Sequence, residues 1–448
     1  MIEPLAGRQV RPGIVRLAWP VFAEMSLQTI TQVVDLVMVG RLGAVAVAAV
    51  GLSFQPLWLA TGVFMGLAAG TTAVVARSVG AGDPGPAGRA AHQSFLLAVA
   101  LALLVGSAVL AGAATLLRLM GAEPAVVAAG SSYVRLLVPG MVALMCGQVV
   151  TGALRGAGDT RTPLKISALV NLLNIGGNWV LIFGHLGFPA LGLAGAAVAT
   201  SLARAGGLVL LLAACFRSNA AVPFPRRGFF RPEPATMARV VRVGLPAALE
   251  RITNSLGMVL YARVVAGLGT VAFAAHAIAL NVESLSYMPG IALSVAASAL
   301  VGQELGARRP DRAIACGWEC LRLALTVMGG MGLIFLLLPG PLVRLYTADP
   351  GIVTLGVIAL RVVAFAQIPE ATGFVLGGAL RGAGDTLTVL RITLIGVWGV
   401  RLISAYLFVP VLGLGILGAW LAMSLDWLVR AAYLAAHFRA GRWREIEV

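Results

Sequence analysis

The sequence predicts an all-α membrane protein of twelve transmembrane helices in two homologous six-helix lobes. Three observations carry that prediction: a composition too apolar for a soluble domain, basic loops confined to one side of the membrane, and an internal repeat at an offset of 226 residues. Of 448 residues, 59% are apolar and 11% charged, with 55 glycines and a mean hydropathy of +0.93. Soluble domains run nearer half apolar and a quarter charged. Twelve apolar stretches exceed about 18 residues, and twelve spans of about 20 residues need about 240, which leaves only helix extensions and short loops. The formal charge of +15 comes from 33 basic residues, all arginine except Lys165, against 18 acids. In so apolar a chain that excess points to the cytoplasmic leaflet and away from nucleic acid.

The helix centres fall in order at 14–40, 47–76, 92–118, 127–152, 163–185, 191–216, 238–266, 272–302, 316–341, 352–378, 387–409 and 413–437. Loops after even-numbered spans, with both termini, carry the arginines: Arg8 and Arg11; Arg77 and Arg89; Arg155, Arg161 and Lys165; Arg217, Arg226, Arg227 and Arg231; Arg308, Arg309 and Arg312; Arg381; and Arg439, Arg442 and Arg444. Opposite loops such as GHLGFPALGLAG and VPVLGLGILG carry almost none. The positive-inside rule then puts both termini in the cytoplasm and requires an even number of spans. The basic N-terminus runs into the first span without a small-residue cleavage site and is expected to be retained. Cys146, Cys215, Cys316 and Cys320 lie in or beside spans and read as free thiols. Cys316 and Cys320 stand one turn apart with no histidine nearby, a spacing that suits helix packing better than a metal.

The nonapeptide GALRGAGDT occurs at Gly152–Thr160 and again at Gly378–Thr386. The same offset carries Pro20 onto Pro246, Glu24 onto Glu250, Leu42-Gly43 onto Leu268-Gly269, Gly80 onto Gly306 and Arg135 onto Arg361; after a three-residue shift, GAAVATSL at Gly195 matches GAWLAMSL at Gly418. Two homologous halves follow: an N-lobe over 1–216, a basic, Pro-rich linker over 217–237 and a C-lobe over 238–448. Six spans per half make the repeats parallel, related by an axis along the membrane normal, as in transporters that rock two lobes.

With the doubled GALRGAGDT after the fourth and tenth helices, VDLVMVGRLG in the first and SVAASALVGQELGA ending the eighth, the chain resembles the multidrug and toxic compound extrusion (MATE) family over essentially its whole length, its NorM-like branch more than the archaeal one. The resemblance implies a V-shaped pair of lobes around a central cavity in the inner membrane. It further implies a monomeric secondary transporter that exports organic cations or amphipathic compounds in exchange for H⁺ or Na⁺.

Independently of the family, six acids lie inside apolar spans: Glu24, Asp35, Glu250, Glu283, Glu370 and Asp426. A carboxylate at mid-membrane costs at least ~2.5 kcal/mol on insertion scales, so each must face protein, water or ions, or be protonated. Each has a structural alternative, pairing with an arginine or capping a broken helix. Asp35 stands eleven residues after Glu24, which returns it to within ~20° of the same helix face. It also matches the first-helix aspartate that the family uses for cation coupling. Glu370 follows Pro369, which strips a carbonyl one turn earlier of its donor, and a carboxylate beside a freed carbonyl suits Na⁺ or a proton relay; it matches the family's tenth-helix acid. Glu250 has Asn254 one turn on. The NorM-like seventh-helix acid would fall at 254, so the carboxyl here sits one turn early. Glu283 lies on the eighth helix. Asn171, Asn174 and Asn178 form a polar stripe on the fifth helix able to ligand a cation, and Asn178 stands where the archaeal branch would place an aspartate. Arg401 and Asp426, opposite charges on the last two spans, are expected to pair structurally. His276 reads as a helix-packing histidine.

Enzymatic chemistry finds no support. The single lysine, in TPLKIS, excludes a phosphate-binding loop of the ATPase type; no zincin helix and no Asp-rich Mg²⁺ pair occurs, and no cofactor is expected beyond the coupling ion. The doubled RGAGDT reads as a tight cytoplasmic turn whose Arg and Asp fix one helix against the next. The alternative from another transport class is a lipid-linked precursor flippase, which should carry a strongly cationic cavity.

Overall fold

The structure, a computed structural model, describes residues 4–217, 220–225 and 229–446, without the side chains of 4–8 and 54–59. Arg8, Arg226 and Arg227 of the basic loops therefore lie outside the described side chains. Twelve long helices run through the described residues: α1 (Pro4–Gly40), α2 (Ala44–Gly80), α3 (Pro84–Leu119), α4 (Pro124–Gly156), α5 (Arg161–Phe183), α6 (Gly192–Cys215), α7 (Pro234–Ala266), α8 (Thr270–Gly306), α9 (Pro310–Leu337), α10 (Pro350–Ala383), α11 (Thr386–Val411) and α12 (Gly415–Ala440). A short helix, Pro339–Arg344, precedes α10. Ten of the twelve are long and apolar enough to cross a membrane by composition alone. The other two, α1 and α7, have the length, 37 and 33 residues, but carry charges along it: Arg16, Glu24 and Asp35 on one, Arg242, Glu250, Arg251 and Arg263 on the other. Large apolar side chains such as Leu104, Leu172, Phe365 and Ile403 stay exposed on the helix surfaces, as lipid contact requires.

Local chemistry sets the helix ends. Proline opens α3, α4, α7, α9 and α10, where its missing N–H costs no helix bond. Asp83 caps α3 through the Gly85 amide at 3.1 Å, and Asp349 caps α10 through Gly351 and Ile352 at 2.8 and 3.1 Å. The repeat-related turns into α2 and α8 pass through Gly43 and Gly269 at φ +101° and +96°, a region that side chains with a Cβ rarely enter.

The chain forms two compact units, one of Ala23–Gly244 and one of Leu245–Val448 joined by the chain up to Phe22. Their borders fall inside α1 and α7, beside Pro20 and Pro246, and not at the ends of the 217–237 segment. That segment is strapped to its own unit: the Gln93 amide donates to the Arg231 carbonyl and accepts from the Glu233 N–H, both at 2.9 Å. His92 lies among the rings of Phe224 and Phe229. The N-terminal stretch similarly reaches its unit through Arg11 and Glu319, 4.0 Å apart.

In each unit the fourth helix of the repeat is the packing centre. α4 lies against α2, α3 and α6, and α10 against α8, α9 and α12. The repeated nonapeptide makes a close crossing of this kind in each unit. A Cβ on Gly152 would come within 2.8 Å of the Ala68 carbonyl, and one on Gly156 within 2.6 Å of that of Thr72. At the same offset, Gly378 and Gly382 lie backbone to backbone with Ser294 and Ser298. Small residues four apart let two helices approach this closely, where contact depends on dispersion rather than on expelling water. Asp159 and Asp385, the aspartates of the same motif, cap α5 and α11 through Thr162 N at 3.0 Å and Thr388 N at 3.4 Å.

Overpacking such a crossing costs ~1–3 kcal/mol. Gly156→Val and Gly382→Val are each expected to lower the thermal unfolding midpoint of detergent-purified protein. Gly329→Ala, which meets nothing within 4 Å, is expected to leave it unchanged; equal midpoints for all three would refute the close-crossing account.

Candidate functional site

The structure sorts the six intramembrane acids into two classes by their partners. Three are paired with arginine. Arg155 Nη2 donates to Glu24 Oε2 at 2.7 Å, and Arg381 Nη1 donates to both oxygens of Glu250 at 3.0 and 3.1 Å. These two pairs are one interaction made twice, since both acids and both arginines stand 226 residues apart. The arginine is that of the RGAGDT turn, so the motif's guanidinium ties the end of α4 or α10 to α1 or α7. Glu250 thus has Arg381 as its partner, and among the described residues no hydrogen bond joins it to Asn254, which is half-buried on the same helix. Asp426 is the third paired acid. Arg401 Nε reaches its Oδ2 at 2.8 Å, and Arg430, one turn on in α12, takes both oxygens at 2.5 and 2.7 Å.

Asp35, Glu283 and Glu370 form no ion pair within 4.0 Å among the described residues. Asp35, on α1, is held by the amide stripe of α5. Asn178 Nδ2 donates to its Oδ1 at 2.7 Å. Asn174, oriented to satisfy both ends of its amide, donates to both carboxylate oxygens at 3.1 Å and accepts from Thr200 Oγ1 of α6 at 3.0 Å. Asn171, the first member of the stripe, leaves its Nδ2 without a partner. Arg204, one turn beyond Thr200, lies within electrostatic range of Asp35, as does the neutral phenol of Tyr133 on α4. Glu24 and Asp35 therefore part company: the shared stripe meets α4 at one height and α5 at another.

Glu283 of α8 and Glu370 of α10 are each 3% exposed and lie within hydrogen-bonding reach of one another. Gln367 Nε2 donates to Glu370 Oε2 at 3.2 Å, and the Gln367 oxygen accepts from the Ser286 hydroxyl. Glu283 Oε1 has no partner. Arg401 lies within electrostatic range of both acids. Its Nη1 touches the Met258 sulfur at 2.8 Å, and its guanidinium lies 5.8 Å from the centre of the Tyr261 ring. His276 packs edge-on to Tyr261 and Trp420. All four cysteines are buried free thiols, and no metal-binding group of His, Cys, Asp or Glu occurs among the described residues.

Arg204, Arg430, Thr200, Gln367 and Ser286 did not emerge from the sequence. The two arginines left a signal, a lone cation in SLARAGG and one in DWLVRAAY, that a sorting of acids alone passes over. Hydroxyls and amides of this kind leave none, being common on transmembrane helices.

Breaking a buried ion pair costs ~3–5 kcal/mol, and pairs partly open to water cost less. The Arg155 and Arg381 side chains keep 23% and 17% exposure. Glu24→Gln and Glu250→Gln are each expected to lower the thermal midpoint, and the double variants Glu24→Gln/Arg155→Gln and Glu250→Gln/Arg381→Gln to recover part of the loss. Midpoints unchanged in the single variants would remove the structural assignment.

The MatE family model matches the chain twice, over residues 20–180 and 246–407, the two matches starting 226 residues apart. A probable multidrug resistance protein NorM of Thermotoga maritima is 32% identical over 98% of this chain and 94% of its own length. One of Shewanella oneidensis is 30% identical over 95% of each. Among solved structures, an outward-facing multidrug resistance MATE family transporter of the MOP superfamily superposes with a TM-score of 0.87 at 25% identity, covering 96% of both chains. A MOP superfamily transporter from Pyrococcus furiosus, described as having a binding pocket of reverse polarity, superposes at 0.88 and 26%, covering 96% of this chain and 95% of its own. Doubly matched along its two halves and aligned nearly end to end with these relatives, this multi-pass membrane protein belongs to the MatE family of multidrug and toxic compound extrusion transporters.

Proposed function

We propose that this transporter is a secondary antiporter of the cytoplasmic membrane, with both termini inside, that exports organic cations and related amphipathic drugs by alternating access in exchange for H⁺ or Na⁺. One observation carries the reading: of six acids inside the spans, three are neutralised by arginine and three, Asp35, Glu283 and Glu370, are not. An unpaired carboxylate in hydrocarbon is costly, and a proton, a metal ion or an organic cation each relieves the cost. A site that accepts each in turn exchanges one for another. Occupancy by one reduces the gain available to the next, and linkage makes that antagonism reciprocal. The asparagines around Asp35 would ligand Na⁺ through their oxygens or hydrogen-bond a carboxylate through their nitrogens, so that site suits either ion.

A lipid-linked precursor flippase is not favoured. The named relatives are multidrug resistance proteins, and Arg155, Arg381, Arg401 and Arg430 are each engaged by carboxylates rather than left to gather a diphosphate.

The test is efflux of a fluorescent lipophilic cation from proteoliposomes under an imposed pH or Na⁺ gradient. Asp35→Asn and Glu370→Gln are each expected to abolish gradient-driven efflux while the protein keeps its wild-type unfolding midpoint, because neutral isosteres remove the exchangeable charge and keep the volume. Wild-type rates in both variants would overturn the reading.

A further inference from the structure

On the flank of α1 turned away from Asp35, the unit of Ala23–Gly244 carries a groove that the candidate site does not use. Val33 and Val37 stand two residues either side of Asp35, which puts both about 160° round the helix from it. With Met38 and Arg41 of the same segment, and Trp179 and Phe183 of α5, they line a cavity of about 230 Å³. That is smaller than the ~300–1,000 Å³ of pockets that enclose a drug-sized ligand. Asn178 meets Asp35 on one side of the α1–α5 pair, and Trp179, a further ~100° round α5, faces the groove on the other. The groove lies open on the surface of its unit: Val33 and Val37 are 58% and 56% exposed, and Trp179 45%.

Along its length the groove changes character as an amphiphile does. From Val33 to Arg41 the chain rises about 12 Å, close to the ~15 Å of hydrocarbon in one leaflet. Valine, methionine and aromatic rings line most of that height. At the end stands Arg41, exposed in the turn after α1, with no carboxylate within 4.0 Å among the described residues. Trp179 is stacked on His185 of the following loop, ring centres 4.1 Å apart, an indole near the end of its span where the membrane interface favours one. Lipid tails are as apolar as the groove's side chains, so a tail gains only dispersion and fit there. Discrimination falls to the head. A guanidinium holds phosphate through two parallel N–H donors, whereas a cationic amphiphile, the class this transporter is proposed to export, meets like charge at Arg41.

We propose that this groove binds one anionic phospholipid, its acyl chain laid along α1 and α5 and its phosphate on Arg41. The leaflet follows from the orientation proposed above and rests on it: with both termini inside, α1 and α5 end outside, and the lipid belongs to the outer leaflet. A head of net negative charge suits a lone guanidinium better than a zwitterionic one, whose own cation cancels part of the attraction. The bound tail covers the flank that Val33, Val37 and Trp179 leave open. It thereby holds α1 against α5 on the side opposite the contact of Asp35 with Asn178, and a ligand that binds the folded state raises its stability.

The experiment counts lipids. Delipidated full-length protein in detergent is offered phosphatidylglycerol and phosphatidylcholine of the same chains in equal amounts, and native mass spectrometry reads what is retained. Wild type is expected to keep one phosphatidylglycerol with about tenfold preference, the worth of one charge-assisted contact, and to unfold at a higher temperature with it than without. Glycerol 3-phosphate, a head without a tail, is expected to leave that midpoint unchanged. Arg41→Gln is expected to abolish the preference, and Arg344→Gln, an exposed arginine in the loop after α9, to keep it. Val37→Trp, which fills the groove, is expected to lower the count by one for either lipid. Equal retention of the two lipids by wild type would mean ordinary annular lipid, and a preference that survives Arg41→Gln would put the phosphate elsewhere; either overturns the proposal. Orientation is read separately, from Arg41→Cys in intact cells, which is expected to react with a membrane-impermeant maleimide added outside. Reaction only after permeabilisation would refute the orientation and the outer-leaflet assignment, while the lipid preference would still decide the site.

Discussion

A carboxylate held in hydrocarbon has to be neutralised by something, and what neutralises each of six acids decides most of what this structure does. Where the partner is a guanidinium from the same unit, the charge becomes a fastener. Glu24 with Arg155 and Glu250 with Arg381 bind the first helix of each half to the end of the fourth, next to the close helix crossing made by the repeated glycines. Where no guanidinium is in contact, the charge stays available to something mobile. The division follows from the expense of an unpaired ion: a guanidinium in contact neutralises its acid, and of the six acids inside the spans only Glu24, Glu250 and Asp426 have one within 4.0 Å among the described residues.

The duplication sets the two fasteners apart from the other four intramembrane acids, since the paired Asp426 falls on Thr200. Every component of the fastener has a counterpart at the 226-residue offset: the acid, the arginine, both glycines of the crossing and the capping aspartate. The three unpaired acids have none. Asp35 falls on Tyr261, Glu283 on Leu57 and Glu370 on Leu144. Two halves that must both fold keep the same scaffold, because each needs the same crossing at the same place. The unpaired acids have no such reason to match, and the two units surround them differently: Asp35 is held by amides from α5, and Glu370 by the Gln367 amide, with Arg401 within electrostatic range of Glu283 and Glu370.

Much of this was legible in the residues, and the limits were physical. The repeat and the spans followed from spacing and hydropathy, and α1 and α7 are polar for the reason that they carry Glu24, Asp35 and Glu250. Partner choice was not legible. The eleven-residue spacing suggests that Glu24 and Asp35 share a face, yet Glu24 meets α4 and Asp35 meets α5 about three turns on, and a sequence does not say which neighbour lies at which height. Glu250 illustrates the same limit: Asn254 is its neighbour along the helix, but a guanidinium from another helix outcompetes an amide for a carboxylate. The strap at 217–237 escaped notice because Pro- and Arg-rich sequence reads as a tether, whereas its packing depends on Gln93, His92 and two phenylalanines that carry no loop signature.

The backbone of α11 shows how far the C-terminal network reaches into local structure. Two stretches of this helix, Ile395–Arg401 and Leu407–Val411, are wound as π-helix, with Arg401 closing the first. One residue inserted into an α-helix turns everything after it by about 100° and forfeits regular packing, so such insertions persist where a side chain must be aimed. Gly396 lies within that first turn, against Asp426 and Arg430, where any Cβ would meet the Asp426 carboxylate. Gly257 on α7 yields similarly to Val397. The wide turn and the two glycines together bring α11 close enough for a guanidinium on one helix to share a carboxylate with a guanidinium on the next. A regular turn would keep the helix bonds and rotate Arg401 away from Asp426, leaving two buried charges without each other. The irregular turn is therefore the less costly arrangement, and its position along α11 is dictated by the charge it serves.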